Sequence, residues 1–280
     1  MEVARTIEDA RLAVRRARQA GRSVHLVPTM GALHEGHMSL IRAARAPGRF
    51  VAVSIFVNPT QFGPGEDLEK YPRPVEADLA LCRSAGVDLV FMPSPEQMYP
   101  EGFATSVHVA GLTDGLCGPH RPGHFDGVAT VVTKLFNIIQ PDTAYFGQKD
   151  AQQAAVIRRM TEDLNLPIEI VVCPTVRERD GLALSSRNVY LSPGARRQAV
   201  CLSEALRLGE RMIRAGQTDS AKVVEAMRTH ITSAGPCLID YVEIVDPRTL
   251  RPVSRLAGPC MLAVAVRIEG TRLIDNVVVE

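Results

Sequence analysis

Leu26-Val27-Pro28-Thr29-Met30-Gly31-Ala32-Leu33-His34-Glu35-Gly36-His37 decides the reading of this chain, because an apolar run ends there in a glycine-containing loop that carries two histidines. Val24, Leu26 and Val27 read as a buried strand, Met30 and Gly31 as the turn out of it, and Met38 to Ala44 as the helix that follows. The histidines therefore fall where that helix begins. The unsatisfied N–H groups and positive dipole end of a helix N-terminus favour a phosphate, and two imidazoles add donors to such an anion site. Gly36 leaves a gap between them in which a flat base can lie against bare backbone. Two other readings stay open at this point. His34 and His37, three residues apart, are a possible pair of metal ligands, although no third His, Cys or Glu nearby completes a zinc pattern. They also fit ordinary surface histidines near a helix start.

Moving outward, Phe50 to Val57 is a near-continuous apolar run, as expected of a strand covered on both faces, and Asn58-Pro59-Thr60-Gln61-Phe62-Gly63 leaves it. Ligands of an open parallel sheet sit beyond the carboxyl ends of its strands, so this loop and the histidine loop should face one crevice. Gln61 offers donors and an acceptor to a hydroxyl or carboxylate, or is simply a turn residue. A helix is expected from about Pro74 to Ser84, and Asp78 on it is either solvated or a carboxylate that shares Mg²⁺ with phosphates. Val87 to Met92 reads as a third strand. The Gly-, Pro- and His-rich segment from Ser106 to Phe125 is longer than a connector requires, as functional loops often are. Val128, Val131, Val132, Leu135, Ile138 and Ile139 then follow helical spacing up to the stop at Pro141. Upstream of everything, Ile7, Ala10, Leu12, Val14 and Ala17 form the apolar face of an amphipathic helix.

Asp142 to Phe146 is a short strand that Gly147-Gln148-Lys149-Asp150 turns into another helix, with Asp150 as its cap and Gln153 one turn inside. Lys149 opposes the dipole of that helix by a few tenths to about 1 kcal/mol, which a bound phosphate would explain and a solvated lysine would tolerate. After a strand at Glu169–Cys173 and the break at Pro174, Leu184-Ser185-Ser186-Arg187-Asn188 brings two hydroxyls and a guanidinium suited to triphosphate oxygens. Ser192-Pro193 begins a helix through about Arg214, a second spans about 220–233, and Tyr241–Val245, Cys260–Ile268 and Arg272–Val279 alternate as strands, with a hairpin at Glu269-Gly270-Thr271. Strands and helices thus alternate over residues 1–175, which is the pattern of an α/β, Rossmann-like, doubly wound parallel sheet. Residues 176–280 form a smaller C-terminal α+β domain of helices and antiparallel sheet, expected to act as a lid.

With 280 residues the chain has room for both domains, and a net charge of +1 implies no general grip on nucleic acid or an anionic membrane. The six cysteines have no CxxC spacing, and neither a secretory signal nor a long apolar span is apparent. A reduced, cytoplasmic protein is expected.

The histidine pair resembles the HxGH signature of the nucleotidylyl-transferase superfamily. Taken in order, Pro28 to His37, Phe56-Val57-Asn58-Pro59-Thr60-Gln61-Phe62, Tyr71-Pro72-Arg73, Arg121-Pro122-Gly123-His124-Phe125, Phe146 to Asp150 and Leu184 to Asn188 resemble the pantothenate synthetase family over essentially the whole chain. The resemblance implies a Mg²⁺-dependent, usually dimeric ligase that condenses pantoate and β-alanine using ATP and releases AMP and diphosphate. It implies ATP contacts at Met30, Gly31, Ala32, Leu33, His34, Glu35, Gly36 and His37, with His37 as proton donor and His34 on the phosphates. Further ATP contacts are implied at Gly147, Gln148, Lys149, Asp150, the backbone of Val176, and Leu184, Ser185, Ser186 and Arg187. Gln61 and Gln153 match pantoate-holding positions, and Asp78 matches a metal position at which some relatives carry an acid pair where this chain has Ala77-Asp78. The catalytic set so implied is His34, His37, Lys149, Ser185 and Arg187. The alternative is another nucleotidylyl transferase of the same superfamily.

Overall fold

The computed structural model describes residues 1–280. In chain order the elements are β1 (Glu2–Ala4), α1 (Ile7–Gln19), β2 (Ser23–Thr29), α2 (Glu35–Ala44), β3 (Arg49–Ile55), α3 (Val75–Ser84), β4 (Leu89–Phe91), α4 (Pro95–Met98) and α5 (His124–Ile139). Then follow β5 (Thr143–Gly147), α6 (Ala151–Asp163), β6 (Glu169–Cys173), α7 (Pro193–Gln198), α8 (Cys201–Arg214), α9 (Ser220–Ser233), β7 (Leu238–Val245), β8 (Cys260–Ile268) and β9 (Thr271–Val279).

The chain divides into two compact units. The first holds Met1–Val109, Arg121–Gly147 and Gln153–Pro174; the second holds Ala110–His120, Gln148–Gln152 and Thr175–Glu280. Two short pieces of the expected 1–175 domain thus belong with the C-terminal part, and Lys149 is in one of them.

In the first unit all six strands run parallel in the order β1-β4-β3-β2-β5-β6. From β2 the chain builds outward through β3 and β4 on one side, then restarts with β5 and β6 on the other. The reversal makes the gap between the carboxyl ends of β2 and β5 the switch point at which such sheets bind ligands. Val24, Leu26 and Val27 of β2 are fully buried, because helices cover both faces of a parallel sheet. The helix α5 is buried on almost every side, and Gln140 ends it in a left-handed conformation (φ +49°) just before Pro141. The amphipathic α1 starts at Thr6, whose hydroxyl accepts the Asp9 N–H at 3.1 Å, and buries Ala10, Ala13, Val14 and Ala17. Leu12, expected on that face, lies exposed instead. The edge strand β1 carries no sequence signal, being three residues long and starting at a glutamate.

In the second unit β7, β8 and β9 form an antiparallel sheet, with Cys260–Val266 of the central strand wholly buried. Leu202, Leu206, Val223, Met227 and Ile231 of α8 and α9 complete its core. The single helix expected from Ser192 to Arg214 is two, interrupted at Ala199–Val200. Neither Gly nor Pro marks that break; buried Ala199 and Cys201 dock there on the unit's core. All six cysteines are free thiols, and no helix is long and apolar enough to cross a membrane.

Candidate active site

The loop that leaves β2 is fixed by hydrogen bonds before any ligand is considered. Thr29 donates its hydroxyl to the Ser54 carbonyl (2.7 Å) and accepts the Gly31 N–H (3.1 Å). The chain then turns through positive φ at Gly31 (+85°) and Ala32 (+49°). A Cβ at Gly31 would stand 3.0 Å from both Asp78 Oδ2 and Ile55 Cγ2, so a side chain there would be crowded as well as strained by the positive φ. Asp78 of α3 is 1% exposed, and its two oxygens accept the N–H groups of Ala32 (2.8 Å) and Leu33 (2.7 Å). Burial pushes its carboxyl above the usual carboxylate range, and the two N–H groups oppose that shift. Asp78 therefore braces the histidine loop with both of its carboxylate oxygens. No group of three or more His, Cys, Asp or Glu side chains is arranged to hold a metal ion.

His34 is the N-cap of α2, and His37 is its partner in a reciprocal capping box. His34 Nδ1 accepts the Gly36 N–H (3.1 Å) while His37 Nδ1 accepts the His34 N–H (3.3 Å), and the ring centroids lie 4.1 Å apart. Imidazoles thus do what Ser and Glu do in the usual box. An Nδ1 that accepts a backbone N–H leaves the proton of the neutral ring on Nε2, so both histidines present Nε2–H as their donor. The helix start was expected to offer backbone N–H groups to an anion; here the N–H groups of His34 and Gly36 already have imidazole partners.

Beyond β3, Asn58 caps a single 3-10 turn, Pro59–Gln61. Gln61 is 9% exposed; its Oε1 accepts from Asn58 Nδ2 (3.2 Å) and its Nε2 donates to Met30 Sδ (2.9 Å). Gln61 is thereby tied to the first residue of the histidine loop. Gly147 is the last residue of β5, and Gln153, on α6, also belongs to the first unit.

In the second unit Gln148–Asp150 forms a 3-10 turn clamped by Asn276 of β9. Asn276 Nδ2 donates to the carbonyls of Gln148 and Lys149, both at 2.9 Å, and its Oδ1 accepts from Gln148 Nε2 at 2.9 Å. The Lys149 ammonium lies 3.6 Å from Asp150 Oδ1. Neighbouring Asp275, 3% exposed, takes a two-pronged ion pair from Arg177 at 2.6 and 2.9 Å. The Val176 carbonyl accepts the Leu184 N–H (3.0 Å), which closes a turn whose bases, Arg177 and Ala183, pair antiparallel. Ser185 follows as cap of the 3-10 helix Ser186–Tyr190, its Oγ accepting the Arg187 N–H at 3.3 Å. Its own O–H remains a donor by chemistry. The first unit thus carries Met30–His37, Gln61, Asp78, Gly147 and Gln153; the second carries Gln148–Asp150, Val176 and Leu184–Arg187.

Comparison with known proteins decides which superfamily member this arrangement belongs to. The family model described as pantoate-beta-alanine ligase matches residues 2–278. The chain belongs to the pantoate-beta-alanine ligase family. It is 60% identical over 280 residues to the pantothenate synthetase of Moorella thermoacetica, covering 100% of this chain and 99% of that one. The crystal structure of pantothenate synthetase from Thermus thermophilus is 49% identical with a TM-score of 0.94, covering 99% of both chains. That of the pantoate-beta-alanine ligase of Francisella tularensis, complexed with beta-gamma ATP and beta-alanine, is 35% identical with a TM-score of 0.82, covering 99% of this chain and 97% of that one.

For this member of the ligase family, sequence reasoning gives little notice of Asn58 and Asn276, which hold the candidate residues Gln61, Gln148 and Lys149, or of Asp275, which pairs with Arg177 next to Val176. A signal existed for the last two. Asp275-Asn276 interrupts the apolar run Leu273, Ile274, Val277, Val278, Val279, and a polar pair in a strand must turn one member inward.

Proposed function

We propose that this ligase activates pantoate with ATP as a pantoyl adenylate and then joins it to β-alanine, giving pantothenate, AMP and diphosphate. The observation that carries the reading is the His34–His37 capping box, which fixes two Nε2–H donors at the start of α2, on the loop leaving the strand beside the switch point. In the first step a pantoate carboxylate oxygen attacks the α-phosphorus and diphosphate leaves. Negative charge then grows on the α-phosphate oxygens and the leaving group. His37 meets it with Nε2–H, His34 and Lys149 with further donors, and Ser185, Ser186 and Arg187 with hydroxyls and a guanidinium, which is electrostatic stabilisation without a covalent enzyme intermediate. In the second step the neutral amine of β-alanine attacks the acyl carbon and AMP departs.

Gln61 and Gln153 hold pantoate in this reading. Neutral amides suit a hydroxy acid, whose hydroxyls need both donor and acceptor, and fixing its carboxylate near the phosphorus supplies much of the acceleration. Mg²⁺ enters with the triphosphate as part of the substrate, and no step is assigned to Asp78 through it. A homodimer belongs to the same reading, on the strength of the resemblance, and sedimentation equilibrium checks it.

The test is the stoichiometry of a complete turnover. The reading expects one AMP, one diphosphate and one pantothenate per ATP consumed, and only when pantoate and β-alanine are both present. Diphosphate without AMP on a phosphorylated acceptor would instead identify a nucleotidylyl transferase.

A further inference from the structure

Arg121 and His124, which flank the start of α5, converge on one atom, the backbone carbonyl oxygen of Gln61. His124 Nδ1 lies 2.8 Å from it and an Arg121 guanidinium nitrogen 3.2 Å. The same guanidinium reaches His124 Nε2 at 2.9 Å and grips both oxygens of Glu66 at 2.7 and 2.6 Å. A guanidinium only donates, so His124 Nε2 must accept; the ring is then neutral with its proton on Nδ1, where it donates to Gln61. Burial alone would raise the Glu66 carboxyl, but the hydrogen bonds and charge of Arg121 bring it below the usual carboxylate range.

These groups lie inside the unit rather than on a solvated face: His124 is 8% exposed, and the Arg121 and Glu66 side chains 12% and 24%. The helix behind them fixes the same turn a second time. A Cβ at Gly127 would fall 2.4 Å from the Thr60 carbonyl oxygen, so α5 lies backbone to backbone on the Pro59–Gln61 turn. The Asn58 amide that holds Gln61 Oε1 also donates to the Gly127 carbonyl at 3.1 Å.

We propose that Arg121, His124 and Glu66 form a clasp that positions Gln61, making them determinants of pantoate affinity although none of them is required to touch substrate. The clasp ties the backbone of Gln61 to the start of α5 and, through Glu66, to the Gly63–Glu66 turn that follows it. The Arg-Pro-Gly-His segment thereby supplies the two donors, with Gly123 as the N-cap between them. The proposal rests on the reading that Gln61 binds pantoate.

The experiment is steady-state kinetics on His124→Ala, His124→Asn, Glu66→Gln, Gln61→Ala and the double variant Gln61→Ala/His124→Ala, varying each substrate in turn. His124→Ala and Glu66→Gln should raise the pantoate KM by about tenfold, the effect of losing about one hydrogen bond, with the ATP KM within about twofold of the parent. His124→Asn, whose amide N–H replaces Nδ1–H, should recover most of that loss. In the Gln61→Ala background, His124→Ala should add less than about twofold, because the residue it positions is gone. If Gln61→Ala raises the pantoate KM while His124→Ala and Glu66→Gln leave it unchanged, the clasp is overturned and the role of Gln61 stands. If Gln61→Ala leaves it unchanged, the Gln61 reading itself fails. A uniform rise in every KM that His124→Asn does not relieve would reduce the clasp to general scaffolding and contradict the proposal.

Discussion

His34 and His37 commit Nδ1 to backbone N–H groups, so the structural role and the proposed donor role fall on different atoms of the ring. That separation can be tested. In His37→Asn the amide oxygen replaces Nδ1 and keeps the cap, while Nε2 is lost. Diphosphate release should then fall about 10²- to 10³-fold, the usual cost of one oxyanion donor, with little change in the thermal midpoint. Asp78 gives the opposite kind of prediction. Asp78→Asn replaces one of two buried acceptors by an N–H facing another N–H, so stability should drop by roughly 1–3 kcal/mol in denaturant titration and the ATP KM should rise. Because the carboxylate braces a backbone, raising Mg²⁺ should not restore activity; recovery at high Mg²⁺ would return Asp78 to the role of a metal ligand. At this scale the sequence exposes chemistry better than geometry. Histidines and glycines at a strand end single out this loop as a candidate site, but that an aspartate 46 residues further on supports its backbone depends on a contact no local pattern encodes.

Elements were legible where their periodicity is long and their ends are punctuated. The helix α5 has a full apolar stripe and a proline just past its end, and β8 and β9 flank an evident turn. What escaped lacks such signals: β1 is stabilised by pairing with β4 rather than by its own residues, and the break between α7 and α8 contains no breaker. The clamp between β9 and the Gln148–Asp150 turn was illegible for the same reason, since it joins residues 128 apart. Its support can be removed from one side. Arg177→Met leaves the Asp275 carboxylate, 2% exposed as a side chain, without its ion-pair partner, and should destabilise the protein by about 3–5 kcal/mol in urea titration. Replacing both partners, Arg177→Met with Asp275→Leu, should restore much of that loss; if the single change is silent, the pair is not a support of the second unit.

At the scale of the whole molecule, stability should depend on pH through a histidine outside the His34–His37 loop. His25, on β2, is buried and bonded to Ser23 Oγ (2.9 Å) and the Tyr145 hydroxyl (3.0 Å). Burial, and then the charge of Arg49, lower its pKa from 6.5, against the weaker opposing pull of Asp142 and Glu169. The unfolded chain then binds the proton more readily than the fold, so stability is retained above about pH 6.5 and falls as pH drops through the interval below it. A His25→Gln variant should flatten the thermal midpoint across that interval. Asp240 acts in a more acidic window: burial would raise its carboxyl, but Arg272 and Arg267 hold it below the usual range, and its contribution is lost only as pH falls through that lowered value. The alternation of strands and helices made the parallel sheet legible from sequence, and the change of pattern after Pro174 marked the second unit. The transfer of Gln148–Gln152 to that unit was hidden, because a five-residue piece within an α/β alternation has no composition of its own. The most direct test of the adenylate route is to supply pantoate with ¹⁸O in its carboxylate and analyse the AMP after turnover with β-alanine. Attack by that carboxylate on the α-phosphorus leaves one labelled oxygen on AMP when the amine displaces it. Label in AMP is the predicted result; unlabelled AMP would contradict the pantoyl adenylate.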